Sequence, residues 1–311
     1  MEASLKKSEY RVGLFCALGC ATMWGLLPIY WHALRPIDSF VIIFYRIVLV
    51  GLTTFLAAYK LHGWEKIKAP LKQKKMLFTF IIAGILITSN WSIYIWAVNA
   101  DLVIQTCIGY YIEPLMVCLF GIFLFKEKLT KYKLVALGFA FAGVVVVLIH
   151  FHEIPLIALS LALTFAVYAA IKKKYKVEAL ISLFYETVFL TPIALGMVIY
   201  FEVTGRGAFS VAQPHQFVLL AIIGIVTAIP LALFAMAANR VSLITLGITE
   251  YISPSISLLL SIFFFREPFD RIQLISFVII WIGLLYFTYG EAREVKEYKE
   301  QNVLESIPIG E

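Results

Sequence analysis

The sequence predicts an all-α integral membrane protein with ten transmembrane helices in two inverted five-helix repeats. Three observations predict it. The chain of 311 residues is 61% hydrophobic and only 15% charged, with a mean hydropathy of +0.90; soluble domains are about 45–50% apolar and about 25% charged. Its apolar residues form runs of spanning length separated by basic clusters. And the second half echoes the first at a fixed offset of 140 positions.

A spanning helix needs about 20 mostly apolar residues, and ten such runs can be read in order. The first, 12–33, follows Lys6, Lys7 and Arg11 and is closed by Arg35-Pro36. It exceeds the roughly 7–15 residues of a signal-peptide core and reads as a retained helix. The second, 38–59, ends at the polar stretch Lys60 to Lys75, and the third is 76–98. The fourth, 101–125, is split from the third near Asp101, and the fifth, 132–150, follows a lysine-rich turn. The sixth and seventh are 154–171 and 179–201, and Gln213-Pro214 opens the eighth, 215–238. The ninth, 241–265, begins at Arg240, and the tenth is 272–290. Residues 1–11 and 291–311 remain as short termini, the tail reading as a helix followed by disorder.

The basic residues give the map an orientation. With a cytoplasmic N-terminus, 21 of the 26 Lys and Arg fall on the inner side, and only Arg35, Arg206, Arg266 and Arg271 fall outside. Inner loops are enriched in Lys and Arg in this way, and adding or losing one helix would put later clusters on the wrong side. Both termini are then cytoplasmic. The run Lys172-Lys173-Lys174 reads as part of this topology signal, with anionic lipid contact as a by-product. The net charge of +6 needs no nucleic-acid partner.

The echo divides the map in two. Gly109-Tyr110-Tyr111-Ile112-Glu113-Pro114 leads to Phe125-Lys126-Glu127, and Thr249-Glu250-Tyr251-Ile252-Ser253-Pro254 leads to Phe265-Arg266-Glu267. Asn99 with Asn239, Gly143 with Gly283, and Phe44-Tyr45-Arg46 with Phe184-Tyr185-Glu186 share the offset. The repeats are 12–150 and 151–290. Five helices is an odd number, so the second copy enters from the opposite face, which is the inverted topology of many secondary transporters.

Ten helices in two such halves, each with a Lys/Arg-Glu turn before a helix with a late glycine, resemble the EamA family of the drug/metabolite transporter superfamily. Within it the chain is similar to the RarD proteins. The residues that carry this are the run Thr22-Met23-Trp24-Gly25-Leu26-Leu27-Pro28-Ile29-Tyr30-Trp31, Phe44-Tyr45-Arg46, the run from Thr88 to Asn99, and Gly109 to Leu115. The resemblance implies a permease of the bacterial cytoplasmic membrane. It also raises chloramphenicol-type compounds as one substrate candidate.

Charged residues within spanning helices are costly and mark functional positions by default. Arg46, Glu113, Glu186 and Glu250 are the four clear cases, all near mid-depth by helical rise. One arginine cannot neutralise three carboxylates, so at least one acid is expected to carry a proton or to be free for a cation, and proton-coupled exchange is one consequence. The competing reading is that Arg46 forms an internal ion pair that locks helices together. Trp24, Tyr30, Asn90, Trp91, Tyr94, Tyr110, Tyr111 and Tyr251 are expected to line a cavity for a moderately hydrophobic small molecule, against ordinary lipid-facing or interfacial aromatics. Pro28, Pro114, Pro192, Pro230 and Pro254 sit within apolar runs, and the matched Pro114 and Pro254 are candidate gating bends or static kinks. Gly138, Ala142 and Gly143 are expected to let helices pack closely.

Other chemistry has less support. Cys16, Cys20, Cys107 and Cys118 form no CxxC pair and read as small buried hydrophobes. His150-Phe151-His152 is not a metal site, and no metal or cofactor is expected. There is no GxxxxGK[ST] motif, which argues against ATP-driven transport by this chain alone. The alternative to a small-molecule transporter is an intramembrane enzyme acting on a lipid-linked substrate, which would usually gather catalytic groups near one interface; a passive channel is a third reading.

Overall fold

The computed structural model describes residues 2–99, 103–151, 156–175, 177–266 and 271–305. Asp101, His152, Lys176, Glu267 and the tail beyond Glu305 lie outside the described residues. The described secondary structure is helical throughout: α1 (Glu2–Ala33), α2 (Ser39–Lys68), α3 (Lys74–Asn99), α4 (Val103–Phe125), α5 (Lys131–Phe151), α6 (Leu156–Lys174), α7 (Ala179–Val188), α8 (Thr191–Val203), α9 (Ala208–Val211), α10 (Pro214–Ala238), α11 (Leu243–Glu250), α12 (Ile252–Leu260) and α13 (Arg271–Glu305). Among the described residues, nine helical stretches are long and apolar enough to cross a membrane, and a bent pair brings the count to ten.

Three predicted spans are corrected in detail. The seventh is not one helix: α7 and the segment from Thr191 meet at 56°. Pro192 sits in the first turn of α8, where its missing N–H costs nothing, whereas one helix running through it would lose a backbone bond. The ninth is one span, Leu243–Phe265, interrupted only by a turn at Tyr251 between α11 and α12, and it ends in a π-helical turn, Ser261–Phe265. The tenth continues well past residue 290, so that span and tail form the single helix α13.

Large apolar side chains such as Phe15, Phe123, Val203 and Leu285 point outward, as they must where lipid is the solvent. The interior is built from pairs of helices that correspond under exchange of the two halves. The fifth and tenth spans, α5 and α13, pack together, as do the second span, α2, and the seventh, α7–α8. Span four packs on span six, and nine on one; three on six, and eight on one. The close contacts follow the same rule. A side chain at Gly84 would strike the carbonyl of Glu186, and one at Gly224, 140 positions on, the carbonyl of Leu49. Gly143 lies against Ile280, and Gly283 against Phe139 and Ala136. Ser276 donates to the carbonyl of Gly143 at 2.8 Å. The expected close packing thus belongs to Gly143; Gly138 has open space around it and Ala142 is exposed, because both point away from α13.

The face that carries the N-terminus is tied by polar links between elements. Arg240 meets Glu9 at 2.7 Å, Tyr10 donates to Glu291 at 2.6 Å, and Lys133 lies 3.5 Å from Glu291. Glu127, in the turn after α4, accepts from the backbone N–H groups of Leu243 and Ile244 at 2.8 and 3.0 Å. It thereby caps α11, whose first N–H groups have no intrahelical partner. Lys173 reaches both the Glu127 carboxylate, at 3.9 Å, and the carbonyl of Val241.

Candidate functional site

Arg46 stands on the second turn of α2, a helix started by Asp38, whose carboxylate accepts from the N–H of Phe40 at 2.8 Å. Its guanidinium carbon lies 3.5 Å from the ring centre of Trp91 on α3 and 5.3 Å from that of Trp31 on α1. Such cation–π contacts strengthen away from water. Its Nε is buried without a hydrogen-bond partner. Among the described residues Arg46 has no ion pair, so the internal lock considered from the sequence does not form there.

One turn along the rim, Tyr94 of α3 and Tyr110 of α4 meet edge to face at 5.8 Å, and Tyr110 is 43% exposed. Tyr110 also lies within electrostatic reach of Arg46, as does Tyr30. Glu113 is the next residue on that face of α4 and makes no hydrogen bond or ion pair among the described residues. Glu250 is the last residue of α11, 4% exposed, with its Oε1 buried and unpartnered. The two carboxylates are close enough to feel each other's charge. Gly247 makes this possible: α11 approaches α4 so closely there that a side chain at 247 would meet the carbonyl of Pro114 and the thiol of Cys118 at 2.6 Å.

The matched prolines act at the same place. Proline cannot donate to the carbonyl four residues earlier. Pro114 therefore leaves the carbonyl of Tyr110 without that bond, and Pro254 does the same for Glu250. These two residues are themselves equivalent at the 140-residue offset. Pro114 lies inside the continuous helix α4, whereas Pro254 follows the break at Tyr251 by three residues.

Several expected lining residues lie elsewhere. Glu186 does not join Arg46: it is 2% exposed and ion-paired with Lys172, with Ser182 at 2.5 Å and Tyr168 at 3.2 Å donating to it. Tyr111 and Tyr251 are in the packed core, where the hydroxyl of Tyr251 donates to the carbonyl of Tyr111 at 2.9 Å. Trp24 packs between Phe165 and Phe234. Asn90 ties α3 to α6 by donating to the carbonyl of Leu161 at 2.8 Å and to Thr164 at 3.1 Å. Glu186, Tyr251 and Asn90 are held by polar partners because an unsatisfied buried polar group is costly. Lys172 was hidden in a run that reads as topology. Its signal was the buried stripe of α6, which passes through Phe165, Tyr168 and Lys172. A separate open groove of about 360 Å³ lies between α3 and the α7–α8 break, lined by Ile85, Thr88, Ser89, Ser92, Ile93 and Leu190.

Among the described residues, an all-helical bundle with nine or ten apolar spans is that of a polytopic membrane protein. The EamA-like transporter family matches the chain twice, over residues 11–149 and 154–289, and the chain belongs to that family. It is 36% identical over 295 residues to an uncharacterized transporter, YojE, of Bacillus subtilis, covering 93% of this chain and 97% of that one. It is 35% identical over 290 residues to protein RarD of Streptomyces exfoliatus, covering 93% and 92%. A crystal structure 16% identical in sequence superposes with a TM-score of 0.67 over 89% of this chain and 98% of its own, which shows the common fold.

Proposed function

We propose that this chain is a secondary transporter that moves a small organic solute across the bacterial cytoplasmic membrane by alternating access. The observation that carries the reading is unpaired charge inside the bundle: Arg46, with its buried Nε unpartnered, and Glu250, with a buried unpartnered oxygen, beside Glu113. Permanent structural charges are normally paired, as Glu186 is with Lys172, whereas substrate and ion pathways keep charges available. The family match and the transporter names of the relatives support it.

The halves, residues 12–150 and 151–290, are taken as inverted repeats related by a two-fold axis in the membrane plane. The double family match, the odd number of spans in each and the exchange-related helix contacts support this. The lysine-rich face, with both termini, is assigned to the cytoplasm. The site comprises Arg46, Trp91, Tyr94, Tyr110, Glu113 and Glu250, with Pro114 and Pro254 as its gating bends. Glu186, Asn90, Trp24, Tyr111 and Tyr251 hold its walls in place. Glu113 and Glu250 are the candidates for proton coupling, since two neighbouring carboxylates in a water-poor interior favour sharing a proton over full ionisation. Chloramphenicol-type compounds stand as one substrate candidate, on the resemblance to RarD proteins.

Metabolite profiling of deletion and overexpressing strains supplies the solute, and counterflow in proteoliposomes tests the rest. Arg46→Ala and Glu113→Gln are expected to abolish counterflow. Transport indifferent to a pH gradient, with normal activity in Glu113→Gln and Glu250→Gln, would remove proton coupling. Normal activity in Arg46→Ala and Glu113→Gln would remove the site.

A further inference from the structure

Arg46 is clamped but not neutralised. Trp91 and Trp31 lie within cation–π distance of its guanidinium, yet an aromatic ring contributes only a partial charge and no acceptor lone pair. The N–H groups of a guanidinium point outward in its own plane, and at least the Nε donor is buried with nothing to receive it. Among the described residues, no carboxylate of the interior answers it. Glu186 is taken by Lys172, Ser182 and Tyr168. Glu202 accepts from Tyr45 at 2.6 Å and from the backbone N–H groups of Ala208 and Phe209. Glu113 and Glu250 make no ion pair with it among the described residues. Arg46 is half-buried, and a buried donor left without an acceptor, here its Nε, is costly, so the fold holds this group at a cost that a ligand can relieve.

We propose that Arg46 is the anchor for an anionic group, a carboxylate, phosphate or sulfonate, on the transported solute, which is therefore an organic anion. This rests on the transporter reading above. The planar guanidinium fork suits two-point binding of such a group. The indoles fix the plane of the fork in advance, which lowers the ordering cost of binding. Trp31, Trp91, Tyr94 and Tyr110 surround the anchor with aromatic surface, so the body attached to the anion is flat and apolar.

The test uses the full chain in phosphatidylcholine nanodiscs. The probes are benzoate, indole-3-acetate and phenyl phosphate, with benzamide and indole-3-acetamide as uncharged counterparts. Binding is read by titration calorimetry and by the shift in thermal unfolding temperature. At least one anion is expected to bind saturably and its uncharged counterpart not. Arg46→Gln is expected to weaken that binding by at least about tenfold, while Arg46→Lys keeps part of it. The ligand-free Arg46→Gln protein is expected to unfold at a higher temperature than the native one, an effect that a purely structural arginine would not give. Failure of all three anions to bind, equal binding of acid and amide, or undiminished binding by Arg46→Gln overturns the anion site. Counterflow of the bound anion separates the two readings: saturable binding without counterflow keeps the site and removes transport. A neutral solute carried equally by native and Arg46→Gln protein keeps transport and removes the site.

Discussion

Lys172 and Glu186 show how one pair of residues holds two spans. Lys172 is 4% exposed and Glu186 2%, and the carboxylate is also bonded by Ser182 and Tyr168. Removing one partner of a buried pair leaves the other charge stranded, at a cost of about 3–5 kcal/mol, whereas replacing both by apolar residues is often neutral. Lys172→Met is therefore expected to lower the unfolding temperature in detergent sharply, and Lys172→Met with Glu186→Leu to recover most of the loss. An unfolding temperature unchanged by Lys172→Met would show the pair to be idle. Glycines give a second contrast. Gly84→Ala forces a methyl into the carbonyl of Glu186 and should cost about 1–3 kcal/mol. Gly138→Ala meets open space and, within a helix, should stabilise by about 0.5–1 kcal/mol. Both are measurable in the same unfolding experiment. Little of this was legible in the sequence. The net charge of a Lys-Lys-Lys run is the same whether its first member faces lipid headgroups or Glu186, and a glycine's neighbours across a helix interface leave no mark beside it. Arg46, Glu113 and Glu250 did stand out, because a charge in an apolar run is conspicuous before any contact is known.

Breaks in helices set the geometry at the next scale. The third, fourth and fifth spans run unbroken, while the seventh bends by 56° and the ninth is interrupted by a turn at Tyr251. A hydropathy reading sees only apolar length, so it passed over the 56° bend between α7 and the segment from Thr191 and the local turn at Tyr251. The prolines were visible but not their consequences: Pro230 lies inside the continuous helix α10, Pro192 begins a new helix, and Pro254 follows a break. What separates them is packing, since the carbonyl that each proline leaves unbonded can be tolerated only where other groups or water reach it. If the break at Tyr251 is the moving joint, closing it should slow the cycle. Pro254→Ala restores a donor for the carbonyl of Glu250 and should raise thermal stability while slowing counterflow severalfold. Pro230→Ala, within an already continuous helix, should leave counterflow within about twofold of native. A Pro254→Ala protein that transports at the native rate would show the break to be a static feature of packing.

At the scale of the whole molecule, the proposed alternating access requires the tied face to open. The nine or ten spans and the sequence echo between the halves were legible because charge distribution and the repeat offset are properties of the whole chain, insensitive to where any single helix ends. The ties were not, because Glu127 and Leu243 are far apart in sequence and Glu127 reads only as half of a Lys-Glu turn. In the fold Glu127 is the plug of this face: it caps α11, accepts Lys173, and lies where a side chain at Gly121 would meet its carboxylate at 2.7 Å. Beneath it, about 5 Å deeper by the helical rise from Gly121, the thiol of Cys118 donates to the carbonyl of Ile244 at 3.4 Å and is 1% exposed. A native cysteine thus reports on the seal. Glu127→Ala strands the N–H groups of Leu243 and Ile244 and should favour the open form of this face. A membrane-impermeant maleimide, with labelled peptides read by mass spectrometry, should then modify Cys118 several times faster than in the native protein. The acceleration is expected in inside-out vesicles and not in right-side-out cells, because the lysine-rich face is assigned to the cytoplasm. Labelling from the outside would reverse that orientation. An unchanged rate in both preparations would mean that Glu127 stabilises α11 without sealing the path, and that the seal lies with the ties of Arg240 to Glu9 and Tyr10 to Glu291.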